Sequence, residues 1–445
     1  MTPHIDRASL LAYIDGDTSV DRLAIASHLA ECAECRRALA EAQWLTLLLR
    51  DVVLHDLAHG DPDPGRDLGW RDILAEQRRL RDEEVRANTV YADLRRVPVE
   101  AWKAEIAQRS HDKTEGLVRR IIQAVEIELN RLPERALHML DAAEEITNGL
   151  HDTVARRCLG DCWKHRANAL RHLGRYPESL DAAELAETLY RSVQLDDFDV
   201  GQALFTRAGT LFKMTRYDSA RAVLREATEV LRSFGASMPL AKTLILDGVI
   251  RCEQGDIAGA ETVFLELVPM LEKFEDEMEL ARVRTNLAEC TLRLGRPVDA
   301  LPQAEAAVAG FARLAMDAEE IRARWTVAVI HLALGDGDVA LDGLYDAAAA
   351  FEGRGMLGDA AFVKLDITEE LLRRKEWSEA ATNARELAVL FTKAGVTIAS
   401  VLALAYLAEA VEGERAMPEL VQYVRSYVTA DDPDRRFEPP ADGPR

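Results

Sequence analysis

Leu173-Gly174-Arg175-Tyr176, Met214-Thr215-Arg216-Tyr217, Gln254-Gly255-Asp256-Ile257, Leu294-Gly295-Arg296-Pro297, Leu334-Gly335-Asp336-Gly337 and Arg374-Lys375-Glu376-Trp377 decide how this chain folds. Each is a turn signal between two helical stretches. Successive turns begin about 40 residues apart, the period range of helical solenoids. Small residues recur in step with them. Seven positions before the second residue of each turn stand Ala167, Ala208, Gly248, Ala288, Ala328 and Thr368. Five positions after it stand Ser179, Ala220, Ala260, Ala300, Ala340 and Ala380. A third register holds Ala186, Ala227, Leu267, Ala307, Ala347 and Leu387. Small side chains at fixed places on two helices let the helices of a hairpin approach closely. The expectation is an all-α chain built mainly of stacked helical hairpins.

These registers resemble the tetratricopeptide repeat family, with its small–Gly/Asp–aromatic turn and its alanines in the second helix. The period is longer than usual for that family and is similar to the extended-helix variants of bacterial regulators and kinesin light chains. The resemblance covers roughly residues 124–412, about seven hairpins, the first being the weaker copy Asn130-Arg131-Leu132-Pro133-Glu134-Arg135-Ala136. It implies an α-solenoid whose groove binds a protein or peptide.

Outward from the array, the chain divides further. Gly60-Asp61-Pro62-Asp63-Pro64-Gly65 is the clearest breaker and places a linker at 60–67. Residues 1–59 form a separate module, 68–123 a charged helical connector, 124–429 the repeat array, and 430–445 an Asp- and Pro-rich tail expected to be disordered. Apolar residues make up 48% of the 445, enough for a sizeable core. The formal charge of −22 argues against direct nucleic-acid binding, which needs a Lys/Arg surplus. No signal peptide precedes the module, and no apolar run is long enough for a bilayer, so the expected location is cytoplasmic. Six cysteines in a chain this long do not make a disulfide framework.

Two of them lie in His28-Leu29-Ala30-Glu31-Cys32-Ala33-Glu34-Cys35. On a helix, His28, Cys32 and Cys35 share one narrow stripe; if the helix ends near Cys32, the cysteines form a knuckle that opens the next one. Either way three ligands suited to tetrahedral zinc converge. His4 is the only upstream candidate for a fourth. A redox dithiol is the competing reading of Cys32 and Cys35. The string His4, Tyr13-Ile14-Asp15-Gly16, His28, Cys32 and Cys35-Arg36 resembles the zinc-containing anti-sigma module of bacteria over about the first 40 residues. That resemblance implies one structural zinc on His4, His28, Cys32 and Cys35. A histidine stands at the first ligand position, where redox-sensing members have cysteine, which places a disulfide-release switch in doubt.

Trp44, Leu45, Leu48 and Val52 belong to a following helix that is apolar nearly all round. It therefore wants burial on every side, against a partner or against the next helices. In the anti-sigma family this helix belongs to the part that wedges between the basic DNA-binding domains of a sigma factor, and residues 1–60 here are net acidic. Cys158, Cys162 and His165 also share a helical face, with only His151 or His172 near as a fourth ligand; core packing is the expectation. Cys252 and Cys290 read as single core residues. Glu144-Glu145 and Glu369-Glu370 read as solvated faces. No nucleotide loop, nucleophile elbow or zinc-protease helix is present, so no enzyme is expected. The leading expectation is a transcription regulator whose zinc module sequesters a sigma factor while the array takes a regulatory protein or peptide. The alternative is a scaffold of a bacterial signalling or defence complex, with the zinc module as a structural or docking element.

Overall fold

The computed structural model describes residues 70–129, 131–193, 197–235, 237–394, 398–429 and 436–440. His4, His28, Cys32, Cys35, Trp44, Leu45, Leu48 and Val52 lie outside the described residues, as do the expected module 1–59 and linker 60–67. Every regular element among the described residues is helical.

The chain divides into two compact units at Ile250 and Arg251. The first holds α1 (Trp70–Leu94), α2 (Trp102–Ala107), α3 (Glu115–Glu128), α4 (Pro133–Thr147), α5 (Asp152–His172), α6 (Tyr176–Val193), α7 (Phe198–Lys213), α8 (Tyr217–Ser233) and most of α9 (Met238–Glu253). The second holds the end of α9 and then α10 (Ile257–Phe274), α11 (Glu277–Arg293), α12 (Pro297–Arg313), α13 (Asp317–Leu334), α14 (Gly337–Gly353), α15 (Leu357–Arg373), α16 (Trp377–Ala394), α17 (Ile398–Glu412) and α18 (Pro418–Val428). Local chemistry starts several of them. The Thr114 hydroxyl accepts from Leu117 N at 3.2 Å to cap α3, and prolines open α4, α12 and α18, where a missing N–H costs nothing.

In the first unit the connector is part of the core. Trp102 is fully buried, donates Nε1 to Val97 O at 3.3 Å and meets Tyr91 edge-on at 5.7 Å. Its cluster runs on through Ile121, Met139 and Ile146 to Cys158 and Cys162. In the second unit one cluster joins Leu344 and Phe351 to Leu371, Phe391, Leu407 and Val424.

All three small-residue registers are buried, as their spacing required. Where the register departs from alanine, the polar group is satisfied. Ser179 Oγ donates to Ala167 O across the hairpin at 2.7 Å, and Thr368 takes Asn383 Nδ2 at 2.7 Å. A further register went unread in the sequence. Tyr190, Leu231, Leu271, Phe311, Phe351 and Phe391 recur near the end of each second helix, and all are buried. Their sizes vary, so no single residue type advertises the position.

The six turns share one closure. The N–H of the third turn residue bonds back to the carbonyl five residues earlier: Arg175 to Leu170, Arg216 to Leu211 and Glu376 to Leu371 at 2.9 Å, with Asp256, Arg296 and Asp336 doing the same. This is the Schellman geometry, which needs a left-handed residue just past the helix. Gly174, Gly255, Gly295 and Gly335 supply it without steric cost, whereas Thr215 (φ 56°) and Lys375 (φ 61°) hold it with a Cβ. Thr215→Gly and Lys375→Gly are therefore expected to stabilise by about 0.5–1 kcal/mol each. Thermal unfolding checks this; a lowered Tm in both would show that side-chain contacts, not φ, govern these turns.

The tail differs in part from expectation. Within 436–440, Phe437 packs on Tyr406 and Tyr427 at 5.6 and 5.2 Å, and Tyr423 Oη donates to Glu438 O at 2.6 Å. One aromatic residue in an otherwise polar stretch is enough to anchor it on the apolar end of the last hairpin.

Candidate functional site

Each unit carries a groove on the same face of its repeats. In the first unit α4, α5 and α6 enclose a cavity of about 680 Å³, with Leu137, Trp163, Leu170 and Ala182 in its apolar lining. In the second unit α12, α13 and α14 enclose about 540 Å³, lined by Val308, Ile321, Val327, Val339 and Ala347 among others. Both volumes fall in the range of ligand clefts, about 300–1,000 Å³.

The repeat period makes the two grooves equivalent. With Ala167 aligned on Ala328 and Ser179 on Ala340, Trp163 matches Arg324, Arg166 matches Val327 and Leu170 matches His331. Likewise Glu178 matches Val339, Ala182 matches Gly343 and Leu185 matches Asp346. The floor stays small in both. A Cβ on Gly343 would stand 3.1 Å from Ala328 Cβ, tighter than ordinary contact, so α13 and α14 pack closely there. The walls change chemistry.

The first groove is polar and internally paired. Arg166 lies over the Trp163 ring at 4.9 Å and bonds Asp141 and Glu144 of α4 at 2.9 and 3.0 Å. This buries most of the guanidinium and ties α4 to α5 beneath the opening. The second groove is more apolar. Val339 is 56% exposed at its rim, with Arg324, His331, Glu305 and Asp346 around it. Sequence reasoning expected a groove but named none of the residues that line it, because the walls vary between repeats. The available signal was the small-residue register, which locates the wall positions by offset.

Cys158 and Cys162 are core residues of the first unit, and burial pushes both thiols up. His165, one turn further, is 7% exposed, and burial lowers its pKa to about 3. Its Nε2 lies 3.7 Å from Glu126, but that carboxylate is 59% exposed and too well hydrated to hold a proton on the ring. The two form no ion pair at neutral pH. Among the described residues no group of three or more His, Cys, Asp or Glu side chains could hold a metal.

Two sequence readings are corrected. Cys252 and Cys290 are not single core residues: their sulfurs lie 3.3 Å apart, Cys290 buried and Cys252 half-buried. A separation of 38 residues in an array of period near 40 sets them side by side on consecutive first helices, α9 and α11. The acidic pairs are not solvated faces. Glu145 takes Lys113 Nζ at 2.7 Å, which holds its carboxyl below the usual range, and Glu144 takes Arg166. Glu369 is 8% exposed and bonded by Arg373 and Gln422. Lys113, Arg166 and Gln422 reach these acids from other elements, a pairing that a single helix does not reveal, while Arg373 and Arg374 stand one turn from Glu369 and Glu370 on the same helix.

No protein-family model matches the chain, and no curated protein matches it in sequence. Solved structures do resemble it in fold. A signal transduction ATPase with numerous domains from Pyrococcus horikoshii, described as carrying a tetratricopeptide repeat sensor, aligns at 14% identity and a TM-score of 0.53. The alignment covers 77% of this chain and 51% of that one, so the chain spans about half that protein's length. Aspartyl phosphate phosphatase F from Bacillus subtilis aligns at 14% identity and a TM-score of 0.49, covering 88% and 96% of the two chains. The apo form of RapI aligns at 12% identity and 0.48, covering 61% and 97%. The fold class is an all-α array of tetratricopeptide-like helical hairpins. No described helix is long and apolar enough to cross a membrane.

Proposed function

We propose that this chain is a non-enzymatic adaptor that binds a peptide or protein segment in the grooves of its repeat units. The observation that carries the reading is the recurrence of one groove at equivalent positions, with a small-residue floor kept for packing and walls that differ. Such a division suits recognition: the floor admits a chain segment and the walls select it. In the second groove an exposed aliphatic rim residue with charges of both signs around it suits a mixed apolar and charged segment. Val339 is the expected anchor, since buried aliphatic and aromatic contacts dominate such interfaces.

The test uses a photo-crosslinking residue placed at Val339 or at Val298. Val298 is more exposed, at 71%, and lies outside the groove. One defined partner should be captured at position 339 and not at 298, and Val339→Asp should weaken its binding at least about tenfold, about 1.4 kcal/mol. Equal capture at both positions would sink the groove reading.

A second reading rests on the N-terminal string His4, His28, Cys32 and Cys35. Two imidazoles and two thiolates are the donor set of a closed zinc site, and the resemblance to the anti-sigma module gives such a site a partner. On this reading the module sequesters a sigma factor, with Trp44, Leu45, Leu48 and Val52 supplying the contacts; on the adaptor reading it only docks or stabilises. The chain should then bind one zinc, lost in His28→Ala and Cys32→Ala, with the repeats still helical. Zinc-free protein from zinc-replete cells would reject the metal site. Zinc with no binding to any sigma factor of the same cell would leave the adaptor reading alone.

A further inference from the structure

We propose that Cys252 and Cys290 are a peroxide-oxidisable thiol pair that closes reversibly into a disulfide. The geometry carries the inference. Sγ of Cys252 and Sγ of Cys290 lie 3.3 Å apart, close enough to share a hydrogen. The two cysteines also differ in access, which separates their roles. Cys252 is half-buried and partly open to solvent, whereas Cys290 is 1% exposed with its sulfur against that of Cys252. Buried structural cysteines are inert; a reactive one is partly exposed and has a group that stabilises its thiolate. Cys252 has two such groups. The contact with the Cys290 thiol lowers its pKa below the usual thiol value and the Arg293 guanidinium adds attraction, against the opposing effects of burial and of the Glu289 and Glu253 carboxylates. The Cys290 thiol is pushed up by the same hydrogen bond and by burial, so it keeps its proton.

Chemistry follows from that asymmetry. The Cys252 thiolate attacks one oxygen of hydrogen peroxide. An S–O bond forms as the O–O bond breaks, and the departing hydroxide takes up a proton as water. Cys252 is now a sulfenic acid. Cys290 sulfur attacks the oxidised sulfur; the S–S bond forms, the S–O bond breaks, and the leaving hydroxide takes the Cys290 proton. Two thiols have given up two electrons and two protons, and one peroxide has become two waters. A dithiol reductant reverses the bond by exchange. The link would fasten the first residues of the second unit to α11, which packs against α12, the helix that carries Glu305 and Val308 of the second groove.

The full-length protein provides the test, and its tryptic peptides are diagnostic. Cleavage after Arg251 and Lys273 isolates residues 252–273 with Cys252, and cleavage after Arg284 and Arg293 isolates 285–293 with Cys290. After hydrogen peroxide treatment and alkylation, the expected result is a 252–273/285–293 cross-linked peptide, lighter by two hydrogens than the free pair and abolished by dithiothreitol. In Cys290→Ser, dimedone should label Cys252 instead, because the sulfenic acid has lost its resolving thiol. Met417, 61% exposed, is the internal dosimeter. If Met417 is converted to its sulfoxide while both cysteines remain free thiols, the proposal is overturned. Cys252 linked between chains or to any other cysteine overturns it equally.

Discussion

Lowering the pH from 7 to 5 is expected to weaken the first unit by about 2 kcal/mol through His165 alone. The imidazole sits in the core beside Cys162, its Nδ1 has no hydrogen-bond partner, and burial holds its folded-state pKa at about 3 against an ordinary 6.5. The sign follows from proton counting. Between these two values the unfolded chain binds a proton at this residue and the folded chain does not. Stability from this group is therefore complete above about pH 6.5 and is lost progressively as pH falls toward 3, about 1.4 kcal/mol per pH unit. His165→Leu removes both the titration and the unsatisfied nitrogen. It should be as stable as the parent or more so at pH 7, and should gain about 2 kcal/mol on the parent at pH 5. Denaturant unfolding of both proteins at the two pH values decides it; parallel losses would show that His165 is protonated in the folded protein. The Glu145 carboxyl, held down by its Lys113 hydrogen bond, titrates at lower pH and is common to both proteins.

Phe351→Ala should cost about 3–5 kcal/mol, the largest effect of any single truncation proposed for the second unit. Phe351 is fully buried between the two helices of its hairpin and the next one, and meets Trp325 edge-on at 6.4 Å. Trp325 is in turn held by Asp366 through its Nε1 at 2.6 Å, so the cavity cannot close by a simple ring movement. Val298→Ala, at a 71% exposed position, should cost less than about 0.5 kcal/mol. Hydrogen exchange is the suitable measurement, since a chain of two units need not unfold in one step. Peptides from α14 and α15 should lose protection in Phe351→Ala while those of α1 to α4 keep it. Similar protection of α14 and α15 in the two variants would mean that the aromatic register is not what holds the hairpins together.

The hairpins were legible in the sequence because their signals are steric. A left-handed turn residue favours glycine, and two helices in close contact exclude any side chain much larger than alanine. Gly174, Gly255, Gly295, Gly335 and the first two small registers follow from those two facts, while the third also admits Leu267 and Leu387. What escaped was whatever the fold leaves free. Phe351 and its counterparts need only be large, so tyrosine, leucine and phenylalanine alternate there. Trp163 and Arg324, Glu178 and Val339 share positions without sharing chemistry, so a search for recurring residues passes over them. The thiol pair was hidden for a related reason: Cys252 and Cys290 belong to different repeats, and only the period shows that they are neighbours. The contacts of Gln422 with Glu369 and of Arg425 with Asp366 were unreadable because each spans more than fifty residues, although Arg373 stands one turn from Glu369.

The matched grooves bear on how such a chain can change over generations. Ala167 and Ala328, or Ser179 and Ala340, are answerable to packing, and almost any replacement there is punished by the neighbouring helix. Val339 and Asp346 stand exposed at the opening and carry no part of the core. On the adaptor reading, mutation at those places would redraw the recognised sequence while thermal stability stays level. Duplication of one 40-residue period would add a further opening without inventing a new contact between helices. A lineage built this way can replace its partners quickly and keep its architecture, and the record of that history would be sought in the wall positions, not in the turns.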